Sequence, residues 1–345
     1  MSGWRFLILG FLTVWWAAGC MTEPAVPPPG FAPSPKKAAE TPPGWVPDGY
    51  VEAIPRMPEK GYLLKPLAPE VYFFSNGVYN TLFVVTEEGV ILIDPIQGAG
   101  HLLRRAVREV TEQPVIMMIY SHPHRDHIGD ASMFAEGIKI VAHRETQKLL
   151  QRYNDPARPV PNIAFGEKYA VELGGLRLDL IYPGDGHGKG NIIIHIPQRR
   201  LLMFVDVATP KSVPFKNFTT VDIFSQIAGL KRALQLDFDT YVAGHLYRPG
   251  KRAEMEEVLQ YYFASKRANA EALKRVSIGK IMRESRSKDI ERKMGEYYEA
   301  VAEECYRILK PKWKPRLMGF EAFARGHCDV WTAFHRTHQS PGNAR

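Results

Sequence analysis

Four potential metal ligands crowd into six residues of the segment Ser121-His122-Pro123-His124-Arg125-Asp126-His127-Ile128-Gly129-Asp130. Imidazoles and carboxylates are costly to pack side by side without a compensating cation, so the cluster points to divalent-metal chemistry. In an extended loop His122 and His124 project the same way. Asp126 and His127 follow where the chain turns into a helix, and can face a neighbouring point. One short segment can therefore serve two adjacent ions, yet it completes neither, because zinc takes about four ligands. Further ligands stand at three later places: His187 in Pro183-Gly184-Asp185-Gly186-His187-Gly188, Asp206 closing the run LLMFVD, and His245 after Tyr241-Val242-Ala243-Gly244. A carboxylate at 206 can bridge two cations. A lone His at a strand end is more often structural; these features gain weight from occurring together and in this order.

The elements that must position them are legible as hydrophobic patterns. Short β-branched and aromatic runs at 71–74, 80–86 and 90–93, separated by Gly77 and Glu88-Gly89, predict an antiparallel start. A helix is expected over about 98–112. The run VIMMIY at 115–120 reads as a fully buried strand delivering the His cluster at its end. A strand at 138–142 and a helix at 144–153 follow. Residues 169–207 form a second strand-rich block, followed by a helix over 222–236 and a strand at 240–242. Beyond Pro249, residues 252–310 carry apolar positions at helical spacing, with breaks expected near Gly279 and Gly295 and an end at Pro311 and Pro315. An aromatic segment (Trp313, Phe320, Phe323, Trp331, Phe334) is expected to pack back on these helices. His327, His335 and His338 lie near Cys328 without the paired spacing of a zinc module, and are read as non-ligands.

The chain resembles the metallo-β-lactamase superfamily. Its HxHxDH signature stands as His122-Pro123-His124-Arg125-Asp126-His127, and the downstream His, Asp and His match His187, Asp206 and His245. Asp94, in Ile93-Asp94-Pro95, matches an early Asp that relatives place beside the site, behind the ligands. The resemblance covers roughly 63–249 and implies an α+β fold, a four-layer αββα sandwich with its cleft along one edge, here followed by a helical C-terminal extension. It further implies two Zn²⁺ per chain, with Fe or Mn as alternatives. His122, His124 and His187 would hold one ion, Asp126, His127 and His245 the other, and Asp206 would bridge them. Where many relatives have Gly before the bridging Asp and after the last His, this chain has Val205 and Leu246.

Metal coordination lowers the pKa of water from 15.7 to roughly 7, so such a site supplies hydroxide without a dedicated side-chain base. Asp126 could orient that hydroxide or carry a proton to the leaving group. A serine nucleophile is disfavoured, because Ser121 lies in no Gly-x-Ser-x-Gly setting. The implied function is a metal-dependent hydrolase attacking an ester, thioester, lactone or amide carbonyl of a small molecule. A carboxylate at 206 leans away from the zinc β-lactamases with the nearest first motif. A β-lactamase proper, or a lipid-tethered metal-binding module without catalysis, are the alternatives.

The remaining features bear on location. Residues 1–19 have a positive start at Arg5, an apolar run from Phe6 to Ala18 and small residues before Cys20, the form of a secretory signal. The ending Ala17-Ala18-Gly19-Cys20 resembles the lipobox of bacterial lipoproteins, which implies cleavage before Cys20 and lipid on its sulfur. Residues 20–60 read as a proline-rich linker, since eleven of the 27 prolines fall between 21 and 60. The hydrolase domain is expected over 61–250 and a helical region over 251–345. The protein is thus expected to be exported to the bacterial cell envelope, facing the periplasm and held to a membrane at Cys20. Export permits Cys305 and Cys328 to pair, though their spacing does not decide whether they do. Of 345 residues 45% are hydrophobic and 24% charged, and only three are Cys, which excludes a mainly disordered chain and a disulfide-built scaffold. No apolar run is long enough for a polytopic membrane protein. The formal charge is +8; from Lys251 onward 20 Lys and Arg face 13 Asp and Glu. These alternate in sign as on a solvated helical surface, so no nucleic-acid partner is expected.

Overall fold

The structure, a computed structural model, describes residues 56–338. The expected leader, Cys20 and all but the end of the proline-rich segment lie outside the described residues. Two sheets face each other. The first runs in the order β1 (Leu63–Ala68), β2 (Val71–Ser75), β3 (Asn80–Thr86), β4 (Gly89–Ile93), β5 (Val115–Ile119), β6 (Lys139–His143) and β7 (Ile163–Phe165). β1 to β4 are antiparallel neighbours and β4 to β7 parallel ones. The helices α1 (Gly100–Arg108), α2 (Arg125–Ile128) and α3 (Arg144–Tyr153) fall between its parallel strands. The second sheet takes β8 (Lys168–Leu173), β9 (Leu176–Ile181), β10 (Ile193–Ile196), β11 (Leu201–Met203), β12 (Thr240–Val242) and β13 (Gly250–Lys251) in spatial sequence, with α4 (Ile223–Ala233) between β11 and β12. Four helices complete the described chain: α5 (Arg252–Arg275), α6 (Ile278–Glu284), α7 (Ile290–Trp313) and α8 (Phe320–His338).

Side-chain alternation explains the layering. Leu82, Ile91, Ile93, Met117 and Ile119 join Leu178, Ile194 and Met203 in the core between the sheets. Their neighbours Phe83, Leu92 and Met118 point the other way, against Leu103 and Val107 of α1 and Leu150 of α3. A strand covered on both faces has no place for polar residues, which is why 115–119 is wholly apolar. The outer face of the second sheet, including Leu202 and Tyr241, is covered by α4, α5, α7 and α8 in one shared core. These layers form the αββα sandwich. Among the described residues, no helix is long and apolar enough to cross a membrane.

The helical region departs from expectation in its breaks. Gly279 and Gly295 lie inside α6 and α7. The chain turns instead at 276–277 and 285–289, where Ser277 accepts from the Lys280 amide and Asp289 from the Glu291 amide as N-caps. A capping side chain fixes a helix start, whereas an interior Gly costs only about 1 kcal/mol. α7 also continues through Pro311 to Trp313, because the burial of Trp313 and Leu317 holds this last turn on the core. β1 and β7 are strands that the sequence reading does not include: their residues are largely exposed or half-buried, so hydrophobic periodicity marks them weakly.

Cys305 on α7 and Cys328 on α8 form a disulfide, buried in the helical core. Closing a loop of this length stabilises a fold by roughly 3 kcal/mol. The double variant Cys305→Ser/Cys328→Ser is expected to lose stability of that order in denaturant unfolding, and wild type under reductant should fall to meet it. Equal stability of variant and oxidised wild type would show that the helices need no covalent tie.

Candidate metal centre

The parallel registers bring the chemistry to one edge. Ile93 pairs with Ile119 and Ile119 with Val141, so Asp94 and the segment 120–128 emerge side by side at the carboxyl ends of their strands, where α/β sheets place ligands. In the second sheet Met203 pairs with Val242. The Asp206 amide then bonds the Ala243 carbonyl at 2.9 Å, which sets Asp206 beside Gly244 and His245. Two further links join the sheets: the Asn80 amide to the Gly244 carbonyl at 2.7 Å, and the Ile192 amide to the Ser121 carbonyl at 2.9 Å. His187 is held from behind. The Thr220 hydroxyl and the Val221 amide both donate to the Gly186 carbonyl, at 2.6 and 3.0 Å. Gly186 itself abuts α4, where a Cβ would stand 2.6 Å from Gln226 Cα.

The side chains converge in two groups. His122, His124, His187 and Asp206 form one; Asp126, His127, His245 and Asp206 form the other, and within each the ligand atoms lie within 4.8 Å of one another. Asp206 belongs to both. Its Oδ2 lies 3.5 Å from His122 Nε2, 3.1 Å from His127 Nε2 and 3.3 Å from His187 Nε2, and its Oδ1 is 3.0 Å from His245 Nε2. Asp126 Oδ2 stands 3.5 Å from His127 Nε2 and 4.0 Å from His245 Nε2. Among the described residues, His122 Nε2, His127 Nε2 and Asp206 Oδ1 are buried with no hydrogen-bonding partner. Nitrogen and oxygen lone pairs aimed at common points, deep in the protein and unsatisfied by one another, fit divalent cations, and the His/Asp donor set suits zinc. The sequence-derived ligand set is therefore one spatial cluster.

Surrounding groups orient the rings. The Ser121 hydroxyl lies 2.9 Å from His122 Nδ1; a proton on Nδ1 leaves Nε2 free as a donor to a metal. Asp94 is fully buried and accepts the Ser121 amide at 2.7 Å, so it anchors the start of the metal loop. Asp94 and Asp206 both hold left-handed backbone, φ 43° and 66°, a cost tolerated where packing over-determines the site. Leu246 is left-handed as well, at φ 70°, in the position where Gly would be unstrained. Bonds from its amide to Val78 O at 2.9 Å and from Ser75 Oγ to its carbonyl at 3.2 Å keep it there. At Gly244, φ 86°, a Cβ would meet Val205 Cγ1 at 2.5 Å: the valine preceding Asp206 occupies the space above that glycine.

Tyr79 was not legible as a site residue. It closes the turn that Asn76 opens, its amide donating to Asn76 Oδ1 at 2.8 Å, and its ring stands edge-on to His127 at 5.6 Å and tilted over His245 at 4.9 Å. Burial, then the charges of Asp126 and Asp206, raise its phenol above the usual range, so it stays a hydrogen-bond donor. The only signal in the sequence is its place in a loop just before a buried strand. His327 is bound elsewhere, between the Tyr261 hydroxyl at 2.8 Å and the Phe215 carbonyl at 3.1 Å, and His335 Nδ1 pairs with Asn269 at 2.8 Å.

The family described as the metallo-beta-lactamase superfamily matches residues 75–245, and the 2,4-dinitroanisole O-demethylase subunit alpha of Nocardioides sp. (strain JS1661) is 32% identical over 222 residues, covering 63% of this chain and 67% of that protein. The chain belongs to the metallo-β-lactamase superfamily. The metallo-beta-lactamase IND-1 of Chryseobacterium indologenes is 29% identical over 126 residues, 36% of this chain. The match spans about half of that relative, 52%. Among solved structures, a metallo-beta-lactamase from Pontibacter korlensis superposes with a TM-score of 0.51 at 21% identity, covering 58% of this chain and 99% of that one. That likeness shows the metallo-β-lactamase fold.

Electrostatics in the metal-stripped protein set a testable proton balance. Burial alone would raise the Asp206 carboxyl and lower the His127 imidazole. The attraction between them outweighs it, with help from His245 on the first and Asp126 on the second. Asp206 is held well below the usual carboxylate range and His127 rises to about 9. His124 is pushed down to about 4 by burial and by His187. A raised histidine stabilises the stripped protein below its unfolded pKa and loses that contribution as pH rises through 9. A metal would need His127 neutral, so uptake at pH 8 would expel its proton, while at pH 10 that proton has already gone. Calorimetry of zinc binding in buffers of different ionisation enthalpy should show proton release falling by about one per chain between pH 8 and pH 10. Release independent of pH over that interval would contradict the pairing of His127 with Asp206.

Proposed function

We propose that this protein is a hydrolase that binds two divalent ions, zinc by preference, and acts on an electrophilic carbon of a small molecule. The observation that carries the reading is the sharing of Asp206 by two ligand groups. His122, His124 and His187 would hold one ion and Asp126, His127 and His245 the other. Such ions supply a hydroxide at neutral pH and an electrophilic pole for the substrate.

The chain's own residues divide the remaining work. Asp206 is 9% exposed and surrounded by imidazoles, so it is a structural and charge-balancing ligand. Asp126 is 36% exposed; it is the carboxylate that can take a proton from the nucleophile and pass it to a leaving group. Tyr79, protonated and beside His245, can donate to a substrate oxygen. Arg125 is exposed beside Asp126 and pairs with Asp155 at 3.4 Å, which presents a cation at the rim. Ester, thioester, lactone and amide carbonyls all suit this arrangement. The likeness to a 2,4-dinitroanisole O-demethylase subunit favours a second substrate type, an activated aryl methyl ether, in which the attacked carbon belongs to an electron-poor ring.

We place the protein outside the cytoplasm, tethered at Cys20. The leader at 1–19 and the proline-rich stretch 20–60 support this, as does the buried Cys305–Cys328 disulfide, since such bonds persist in oxidising compartments. The segment 61–250 would then be the catalytic domain and 251–345 its helical companion.

Purified protein assayed with a lactone, a thioester, nitrocefin and 2,4-dinitroanisole should turn over at least one of them, and a chelator should abolish that turnover until zinc is restored. Asp206→Ala is expected to bind fewer than two ions and to lose at least a hundredfold in kcat. Full activity after verified metal removal would refute the mechanism. No turnover of any substrate by protein loaded with two ions would favour the non-catalytic binding module.

A further inference from the structure

We propose that the tip of the α5–α7 hairpin, residues 276–293, is a docking surface for an anionic membrane. The stretch 274–293 holds eight Lys and Arg against three acidic residues, which places +5 of the chain's +8 formal charge within twenty residues. Part of that charge is engaged: Arg275 pairs with Glu271 and Glu304, Lys280 lies near Glu284, and Lys293 Nζ donates to the Met282 carbonyl. Arg283, Arg286, Lys288 and Arg292 are all exposed and have no acidic partner among the described residues. Two isoleucines sit among them, Ile278 at 39% and Ile290 at 62% exposure. Each opens a helix, α6 and α7 respectively, so both belong to the same turn-rich tip.

The surface is pre-formed. Val276, Ile281 and Met294 face the helical core, and the Ser277 and Asp289 caps fix the two helix starts. The basic groups and the two isoleucines are therefore presented by a folded scaffold. α5 begins at β13, and a 24-residue helix is about 36 Å long, so its far end stands well away from the sheet edge it starts from. Cations beside aliphatic side chains match acidic headgroups over an acyl boundary. Single-stranded nucleic acid is held by aromatic stacking as well as charge, and 276–293 contains no aromatic residue. The apolar run 6–18 and Cys20, read above as an export leader with a lipid attachment, would bring a membrane within reach. The tip would then set how the folded part lies against it.

The test uses the full chain and hydrogen exchange, which reads the tip separately from any contribution of the leader. Vesicles containing phosphatidylglycerol should slow amide exchange across 276–293, and raising salt from about 0.1 M to about 0.5 M should reverse the protection. Vesicles of phosphatidylcholine alone should leave it unprotected. Each basic residue near an anionic surface contributes about fivefold in partitioning. The variant Arg283→Glu/Arg286→Glu/Lys288→Glu/Arg292→Glu should therefore lose at least tenfold in vesicle affinity, while thermal melting and metal content stay those of wild type. Equal protection on both vesicle types, or protection confined to other segments, would overturn the proposal. So would protection by RNA and not by vesicles, or protection that grows with protein concentration without lipid. Should the variant fold poorly, the wild-type comparison decides alone.

Discussion

A single buried carboxylate faces four imidazoles in this structure, and the rest of the sandwich is arranged to keep it there. His187, Asp206 and His245 come from loops between strands of the second sheet, and His122, His124, Asp126 and His127 from the segment after β5 of the first. Neither sheet contains a complete ligand group. The site therefore exists only when the sheets are docked in register, and the inter-sheet core of Ile91, Ile93, Ile119, Ile194 and Met203 is what enforces it. Burial penalises the charge on Asp206, and the surrounding rings offset that penalty with protons or with a metal. Such an exchange of proton for cation would link the site's affinity to pH and would make metal binding part of the stability of the fold.

The helical extension contributes to the same geometry from outside. Asn217, Phe218 and Thr219 are three consecutive left-handed residues, with φ of 55°, 61° and 40°, a costly run for non-glycine backbone. Phe218 is stacked on His327 of α8 at 4.1 Å and on Tyr262 of α5 at 4.9 Å. His327 is pushed down to about 4 by burial, so it is neutral and can donate from Nε2 to Phe215 O while accepting from the Tyr261 hydroxyl. The strained loop leads directly to Thr220 and Val221, which clasp the Gly186 carbonyl beside His187. The helices and their disulfide thus brace one of the metal-ligand loops, a role that their sequence, lacking any chemical motif, did not disclose.

How far the site was legible follows from the kind of signal each part emits. The ligands crowd in sequence or stand at strand ends, and the strands VIMMI and LLM are apolar because both their faces are covered, so pattern and burial agree. Asp94 was reached through the family resemblance alone. Tyr79 was invisible because its position depends on Asn80 and Leu246 tying two distant loops together, through bonds such as Asn80 Nδ2 to the His245 carbonyl at 2.5 Å. The interior glycines of α6 and α7 misled because helix ends are set by caps and tertiary burial more than by glycine. The disulfide needed the three-dimensional packing of α7 on α8, which no spacing rule contains.

Anomalous diffraction at the zinc edge, from crystals of the zinc-loaded protein, reads out whether Asp206 is shared by two ions. If Asp206 is shared by two ions, two peaks per chain are expected, one among His122, His124 and His187 and one among Asp126, His127 and His245, each within reach of the Asp206 carboxylate. One peak alone, or two peaks with Asp206 turned away from either, would contradict it.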